Sequence, residues 1–207
     1  MKPPKLKLVI DFSEAKWVQE TLYPWDNLNI ACLGVFIPVG FESYLTIRHD
    51  NTDPSLGSVS SLNFERLTLM LRDFTETPNE CFVAIWNGFN WGFEELYSDL
   101  FKSFSKQNEF NQFFNLPNRG YYLLQCEILE SLKIGKIIFD YLMFEKPNLM
   151  WPRDKSWFIS NEIDYDVTLV GGSEELIREI ENYPYFVTER FNPAVPNRGI
   201  YRADWML

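Results

Sequence analysis

The feature that most constrains the fold of this chain is the alternation, along its length, of two kinds of apolar segment. Short runs rich in β-branched and aromatic residues are typical of strands, whereas apolar residues that recur every three or four positions are typical of helices. The predicted strands are Ile30–Ile37, Tyr44–Arg48, Cys81–Trp86, Tyr121–Ile128, Trp157–Ser160 and Ile163–Val170, with a further short one at Tyr185–Thr188. The predicted helices lie within residues 64–74, 93–104, 132–142 and 174–182.

This order of elements predicts an α+β fold in which a mixed β-sheet has about four helices packed on it. Helices that follow single strands indicate some parallel pairing, and close strand pairs indicate hairpins. The chain has 207 residues and no low-complexity linker, which favours a single domain. We place that domain at residues 1–189 and a C-terminal tail at 190–207. The tail is rich in proline, typical of a loose segment, but it also carries enough apolar side chains to dock on the body.

Charge limits the classes of function. The 29 acidic and 19 basic residues leave a net charge of −10, which disfavours a nucleic-acid binder because phosphates are neutralised by clustered lysines and arginines. Such acidity suits a basic protein partner, or it simply keeps the chain in solution. No apolar run is long enough to span a bilayer and no export signal is recognisable, so we expect a cytoplasmic protein with no membrane partner. The sequence leaves the oligomeric state open.

The cysteines and the histidine argue against a metal centre. Cys32, Cys81 and Cys126 are widely spaced in apolar runs, and His49 is the only histidine. These residues predict neither a zinc site nor a disulfide framework, and the cysteines are typical of small buried side chains in a reducing compartment. No phosphate-binding loop, dinucleotide motif or Gly-x-Ser-x-Gly elbow occurs. We therefore predict no metal, no cofactor and no catalytic residue, and the balance leans away from an enzyme.

Three carboxylates alternate around the start of the predicted strand at 163–170. Residues two apart share one face of a strand, so Glu162, Asp164 and Asp166 would form a stripe. At about 3.3 Å per residue the outer two stand roughly 13 Å apart, too far to bind one cation together. The simpler interpretation is an acidic stripe that faces solvent or pairs with arginine.

The segment Val170-Gly171-Gly172-Ser173 leads into the predicted helix at 174–182. A glycine-rich turn at a helix N-terminus can bind an anion through its backbone N–H groups. Here Glu174 and Glu175 in the first turn would repel a phosphate. The pattern therefore predicts a tight turn, with Ser173 as the N-cap and Gly171 available for positive φ.

Aromatic residues make up 17% of the chain, which raises the expectation of a binding surface. The segment from Trp86 to Trp91 combines a strand end with aromatic rings and glycine. Such rings can form a stacking platform or an anchor for a protein partner. They can equally be core residues around a turn, so both interpretations stand.

Polar residues at predicted strand ends suggest an alternative site, because open α/β sheets place ligands there. The residues at these ends include His49, which can also be an ordinary structural histidine. The full candidate ligand-binding set is Arg48, His49, Trp86, Trp91, Arg119, Glu162, Asp164 and Ser173.

Four stretches of the chain, Gly40–His49, Cys81–Gly88, Leu116–Leu124 and Trp151–Ser173, resemble motifs of an uncharacterised bacterial protein family. Its members carry Gly-Phe-Glu-x-Tyr…His, Trp-x-Gly and Glu-Ile-Asp-x-Asp-x-Thr-x-Val-Gly-Gly-Ser blocks in this order. The resemblance covers residues 35–185 and implies a bacterial or bacteriophage source and a shared fold. It implies no activity and transfers no functional residue.

The leading interpretation is a non-enzymatic bacterial protein-binding module, acidic in the manner of immunity and antitoxin proteins, that takes a basic protein partner. The alternative is an enzyme or small-ligand-binding domain with a polar pocket at the strand ends.

Overall fold

The computed structural model describes residues 5–24, 32–49, 59–87, 114–117, 119–134, 146–162 and 165–196. Within these residues nine strands form one sheet. The strands are β1 Lys7–Leu8, β2 Ser43–Arg48, β3 Cys81–Trp86, β4 Phe114–Leu116, β5 Arg119–Cys126, β6 Leu149–Pro152, β7 Phe158–Asn161, β8 Val167–Gly172 and β9 Thr188–Arg190. The α-helices are α1 Lys16–Thr21, α2 Ser61–Asp73 and α3 Glu174–Glu181, and short 3₁₀ helices lie at Phe12–Ala15, Leu33–Val35 and Ile128–Lys133.

The strands lie in the order β1-β5-β3-β6-β7-β8-β2-β9, and β4 pairs with β5 beside β1. The α+β fold class is confirmed. The sheet, however, is not mixed, because every pairing between the described strands is antiparallel. Parallel neighbours need a crossover of a dozen or more residues, and the connections from β6 to β7 and from β7 to β8 are much shorter.

One face of the sheet, called here the helical face, is covered by α2 and α3. The predicted helices at 64–74 and 174–182 are thus confirmed. Each begins at a serine cap: the hydroxyl of Ser60 accepts a hydrogen bond from the backbone N–H of Asn63, and that of Ser173 from Leu176 at 3.2 Å. Their buried side chains pack on the sheet and form one continuous core, which includes Phe64, Leu67, Leu71, Leu176, Ile177 and Ile180.

The opposite face, called here the aromatic face, packs against α1 and the segment 32–41. Trp151 lies at its centre with no exposed surface. Its ring stacks on Phe82 at 5.8 Å and on Phe158 at 5.5 Å between ring centroids. Trp17 of α1 meets the same indole edge-on at 6.3 Å. Many of the aromatic residues that suggested a binding surface therefore fill this core.

The segment predicted as a strand at Ile30–Ile37 is not one in its described part. Cys32 makes an isolated bridge to Pro196, and Leu33–Val35 is a 3₁₀ helix. All of residues 32–38 are buried, which explains the apolar run. A buried coil and a buried strand share this pattern, so periodicity does not separate them.

The strands β1, β4 and β6 and the helix α1 were not predicted, and two strands begin three or more residues later than expected. The strand predicted at Ile163–Val170 is β8, Val167–Gly172, and the one at Tyr185–Thr188 is β9, Thr188–Arg190. The predicted helix at 93–104 lies outside the described residues. So does most of the one at 132–142, whose first residues end a 3₁₀ helix.

The segment predicted as a C-terminal tail begins inside β9, where Arg190 pairs with Leu45. The backbone N–H of Phe191 donates to the carbonyl of Tyr44 at 3.3 Å, and Pro193 accepts from Gly34 at 3.0 Å. Residues 190–196 therefore lie against the body of the protein, and residues 197–207 lie outside the described part.

Gly171 and Gly172 lie within β8, so the tight turn expected at Gly171 is wrong. Among the described glycines only Gly40 has a positive φ, at 115°. Glycine is needed at 171 because two side chains lie close to its backbone. A Cβ there would stand 2.6 Å from the ring of Phe41 and 3.0 Å from that of Tyr44. The two rings pack directly on the strand backbone.

Gly171→Val is expected to lower the free energy of unfolding by about 1–3 kcal/mol, because the added methyl groups force both rings to move. Ser173→Ala is expected to cost about 1 kcal/mol through the lost cap of α3. Urea unfolding monitored by circular dichroism measures both. A Gly171→Val variant with the parent's unfolding midpoint would contradict the contact described above.

Candidate functional site

Six strands bring polar residues to one end of the sheet, called here the polar end. It is formed by the last residues of β2, β3 and β7 and the first residues of β5, β6 and β8, because neighbouring strands run antiparallel. Five of the candidate ligand-binding residues lie here: Arg48, His49, Trp86, Arg119 and Glu162.

Three of these residues meet on the aromatic face. Nη2 of Arg119 lies 2.7 Å from Oε1 of Glu162, and the two side chains are only 13% and 6% exposed. The guanidinium carbon of Arg119 also lies 4.8 Å from the centre of the Trp86 ring. The pair neutralises both charges, and the indole covers the guanidinium.

Tyr121 is buried beside the same pair. Burial raises the pKa of Tyr121 well above its ordinary value, and the negative charge of Glu162 raises it further while Arg119 opposes the change. The phenol therefore stays protonated at physiological pH and cannot act as a base.

A second polar cluster lies on the helical face. Nε2 of His49 is 3.1 Å from Oγ1 of Thr168, and the Thr168 hydroxyl donates to Oδ1 of Asn161 at 2.5 Å. Because the hydroxyl has one proton and gives it to Asn161, His49 is the donor in the first contact and Nε2 carries its proton. The histidine thus joins β2 to β8 and β7 through side chains.

Asn148 continues this cluster toward β3. Its Oδ1 accepts from the backbone N–H of Trp86 at 2.8 Å, and its Nδ2 donates to the carbonyl of Asn161 at 3.3 Å. Sequence reasoning missed Asn148, Asn161 and Thr168. The available signal was an asparagine or threonine inside or directly before an otherwise apolar strand, where a buried polar group must find a partner.

The candidate set therefore divides between the two faces, with Trp86, Arg119 and Glu162 on one and His49 on the other. Arg48 is exposed at the end of β2, five strand spacings from β5, which is about 24 Å across the sheet. Ser173 follows β8 at the opposite end and caps α3. Trp91 and Asp164 lie outside the described residues.

In the predicted acidic stripe, Glu162 pairs with an arginine, Arg119. Asp166 precedes β8 and does not lie within a strand. In the part of the chain that the structure describes, no three His, Cys, Asp or Glu side chains are placed to hold a metal ion. Nor does that part contain a helix long and apolar enough to cross a membrane.

At the opposite end of the sheet, Arg190 of β9 joins α3 to β2. Its Nη1 lies 2.9 Å from Oε2 of Glu174, its Nη2 lies 2.9 Å from Oε2 of Glu181, and Nη1 also donates to the hydroxyl of Ser43 at 3.3 Å. The backbone N–H of Glu174 in turn donates to Oε2 of Glu42 at 2.9 Å. Charged groups from three elements are thereby held in one network.

A cavity of about 510 Å³, called here the aromatic cavity, lies beside this network. It is lined by the residues Tyr23, Phe41, Tyr44, Phe191, Glu42 and Arg190, among others. These residues come from three separate parts of the sequence. The strand-end reasoning above points to the other end of the sheet and does not predict the cavity.

The outer side of α3, together with Arg190 of β9, forms the acidic α3 surface, which consists of Glu174, Glu175, Glu179, Glu181, Arg178 and Arg190. Four carboxylates face two guanidinium groups there, so the surface is negative. Both arginines are paired with Glu174, and the structure places no ion pair on Glu175 or Glu179 within its described residues.

Exposed apolar side chains lie near this helix. Leu62 and Leu69 of α2 are 57% and 41% exposed, and Tyr185 is 60% exposed. Arg66 stands between the two leucines on the same side of α2, and its guanidinium lies 4.0 Å from the centre of the Tyr185 ring. Leu62, Leu69 and Tyr185 therefore surround Arg66 and are called here the apolar patch.

The Arg190 network makes stability depend on pH in acid. Hydrogen bonds from Arg190 and then Ser43 lower the pKa of Glu174 from 4.5 to about 2. Because its pKa is lower in the folded chain, Glu174 stabilises the fold above about pH 4.5, and this contribution is lost as the pH falls toward 2.

Arg190→Gln should therefore lower Tm at neutral pH, and the difference in Tm between this variant and the parent should shrink below pH 4.5. A Tm difference that stays constant down to pH 2, measured by circular dichroism, would contradict this account.

Comparison of the chain with protein-family models, with curated proteins and with solved structures finds no match. The resemblance to the bacterial family therefore rests on its motifs alone, and the function has to be argued from the geometry.

Proposed function

We propose that this chain is a non-enzymatic module that binds a basic protein partner through the acidic α3 surface and the apolar patch. The observation that carries the proposal is the grouping of Leu62, Leu69 and Tyr185, all exposed, beside a negatively charged helix. We propose a protein of the bacterial immunity or antitoxin kind, which would use such a surface to bind a basic protein.

The apolar patch supplies the centre of the interface. Single exposed leucines are ordinary on a protein surface, but exposed apolar side chains that group together mark contact sites. Tyrosine and arginine are also the residue types that dominate binding energy in protein interfaces. The guanidinium of Arg66 lies over the ring of Tyr185, and Arg66 lies between the two leucines along α2.

The acidic α3 surface supplies the charge that selects the partner. Glu175 and Glu179 are exposed, and Arg178 and Arg190 are already engaged by glutamates of the same surface. An approaching basic protein therefore meets a negative field, which speeds association and disfavours acidic competitors.

The alternative, a ligand pocket at the polar end, has less support. The carboxylate of Glu162 and the guanidinium of Arg119 bind each other inside the fold, and Tyr121 stays protonated. His49 lies on the other face and bonds to Thr168. These groups join strands together, which is a structural task.

The test begins with the immobilised chain, incubated at physiological salt with a lysate of the organism that encodes it. Captured proteins are identified by mass spectrometry, purified and titrated by calorimetry. We expect one stoichiometric partner with net positive charge, and a Kd that Tyr185→Ala weakens by about tenfold or more.

Ile10→Ala is the matched control, because Ile10 is 44% exposed and follows β1, at the other edge of the sheet from β9. Its Kd should equal that of the parent. The proposal fails if no stoichiometric basic partner is captured, or if Tyr185→Ala and Ile10→Ala bind the partner equally well.

A further inference from the structure

We infer that the aromatic cavity is a binding site for a cationic side chain, an arginine, contributed by the partner. This inference rests on the proposed function in taking the partner to be a basic protein, and it adds a specific pocket to the broader surface. The cavity combines aromatic walls with a negative rim, which is the chemistry that recognises a guanidinium group.

The aromatic walls are fixed in place by the fold. The ring of Tyr44 lies 6.0 Å from that of Phe41 and 5.6 Å from that of Phe191. The Tyr44 hydroxyl accepts from the backbone N–H of Phe41 at 2.8 Å and donates to the carbonyl of Pro38 at 3.2 Å. Aromatic rings attract cations, and a planar guanidinium stacks on them with little loss of hydration.

Glu42 supplies a carboxylate at the cavity. Its side chain is exposed, and Oε2 accepts the backbone N–H of Glu174 at 2.9 Å. This bond uses one oxygen and holds the carboxylate in a defined position. Oε1 of Glu42 has no hydrogen-bond partner among the described residues, so it is placed to accept from a ligand.

The charge balance excludes an anion as the preferred ligand. Arg190 also lines the cavity, but its guanidinium already donates to two carboxylates, Glu174 and Glu181, and to Ser43. With Glu42 added, three carboxylates (Glu42, Glu174 and Glu181) stand with two guanidinium groups (Arg178 and Arg190), so the network has a net negative charge. A phosphate or a carboxylate would be repelled, whereas a guanidinium or ammonium group is attracted.

The volume of the cavity suits a side chain together with the peptide that carries it. Ligand pockets commonly have volumes of about 300–1,000 Å³, and this cavity, which is open to solvent, has a volume of about 510 Å³. Beside it, Gly40 has φ 115° and no heavy atom within 4 Å of the place where a Cβ would stand. A partner backbone can therefore approach closely on that side.

The cavity and the apolar patch fit within one interface. The helix α3 has eight residues and is about 12 Å long, and Arg190 links its first residue, Glu174, to its last, Glu181. The first turn of α3 borders the cavity through Glu42, and the chain beyond its last turn reaches Tyr185 after four residues. One partner of ordinary interface size can contact both.

The probe for the test is N-acetyl-L-arginine methylamide, titrated into the full chain and followed by NMR chemical shifts of the backbone amides. We expect saturable shifts at Phe41, Glu42 and Phe191. The corresponding citrulline amide, which has nearly the same shape but no charge, should bind about tenfold more weakly.

Two variants separate charge from fold. Glu42→Gln keeps an acceptor for the Glu174 N–H but removes the charge, and Phe191→Leu keeps an apolar side chain but removes the ring. Each should weaken arginine amide binding by about tenfold, and a cooperative thermal unfolding transition shows that each variant keeps its fold. Glu179→Gln, which removes an exposed carboxylate of α3 that does not line the cavity, should bind like the parent.

Equal binding of the arginine and citrulline amides, or equal binding by Glu42→Gln and the parent, would overturn the inference. A captured basic partner that binds Glu42→Gln as tightly as the parent would also overturn it, while the proposed function would stand. If arginine amide binding depends on Glu42 but no basic partner is captured, the inference about the cavity stands and the proposed function fails.

Discussion

Trp151→Ala is expected to lower the free energy of unfolding by about 3–5 kcal/mol. The indole is fully buried and stacks between Phe82 and Phe158, so its removal leaves a cavity at the centre of the aromatic face. Neighbouring rings are themselves held by the sheet and can collapse into this space only in part. Urea unfolding at 25 °C, followed by far-ultraviolet circular dichroism, measures the loss.

A matched pair of milder variants tests the packing account. Nε1 of Trp157 donates to the carbonyl of Leu71 at 2.8 Å, whereas Nε1 of Trp151 has no acceptor among the described residues. Both tryptophans are fully buried, and replacement by phenylalanine removes the same atoms from each. Trp157→Phe should therefore cost about 0.5–1.5 kcal/mol more than Trp151→Phe, because it removes a hydrogen bond, although the Leu71 carbonyl keeps its bond from the backbone N–H of Phe74 at 3.2 Å. Equal losses would show that the hydrogen bond contributes nothing.

Arg119→Met is expected to destabilise the protein by about 3–5 kcal/mol. The guanidinium lies 2.7 Å from the carboxylate of Glu162, whose side chain is 6% exposed, and its replacement takes this positive charge away from a buried carboxylate. The apolar stem of methionine still packs against Trp86, so the loss reports the charge more than the volume. Urea unfolding at neutral pH measures it.

The double variant Arg119→Met with Glu162→Met is the control for this account. It removes both charges together, and we expect it to recover most of the stability that the single variant loses. Partner binding by the folded double variant should equal that of the parent, because the pair joins strands and lies outside the proposed interface. A double variant no more stable than Arg119→Met would contradict the assignment of a buried ion pair.

The elements that could be predicted from the sequence are those in which several local signals agree. α2 and α3 combine an apolar stripe with a serine cap, and β2 and β3 are β-branched or aromatic runs of ordinary strand length. β6 escaped because it ends at Pro152, a residue that argues against a strand. β1 and β4 have two and three residues, too few for any period to appear.

The candidate site was predictable only in part, because local sequence signals do not give the strand register or the pairing of distant segments. The strand-end rule pointed to Trp86, Arg119 and Glu162, which do lie close together at one end of the sheet. The face that each side chain occupies depends on the strand register, because a shift of one residue moves every side chain to the other face. That register places His49 on the helical face, away from the other three. The aromatic cavity could not be predicted from the sequence, because its walls meet only when β2 pairs with β9 and the chain after β9 docks beside them.

The position of β2 within the sheet sets an order for folding. This strand, residues 43–48, is hydrogen-bonded on one side to β8 at 167–172 and on the other to β9 at 188–190. During synthesis β2 leaves the ribosome more than a hundred residues before β8 or β9, so both of its edges remain unpaired until those strands have been made. Contacts this distant in sequence slow folding, and an unpaired apolar strand is where chains associate wrongly. The half of the sheet that carries the aromatic cavity and the acidic α3 surface is therefore the last to form.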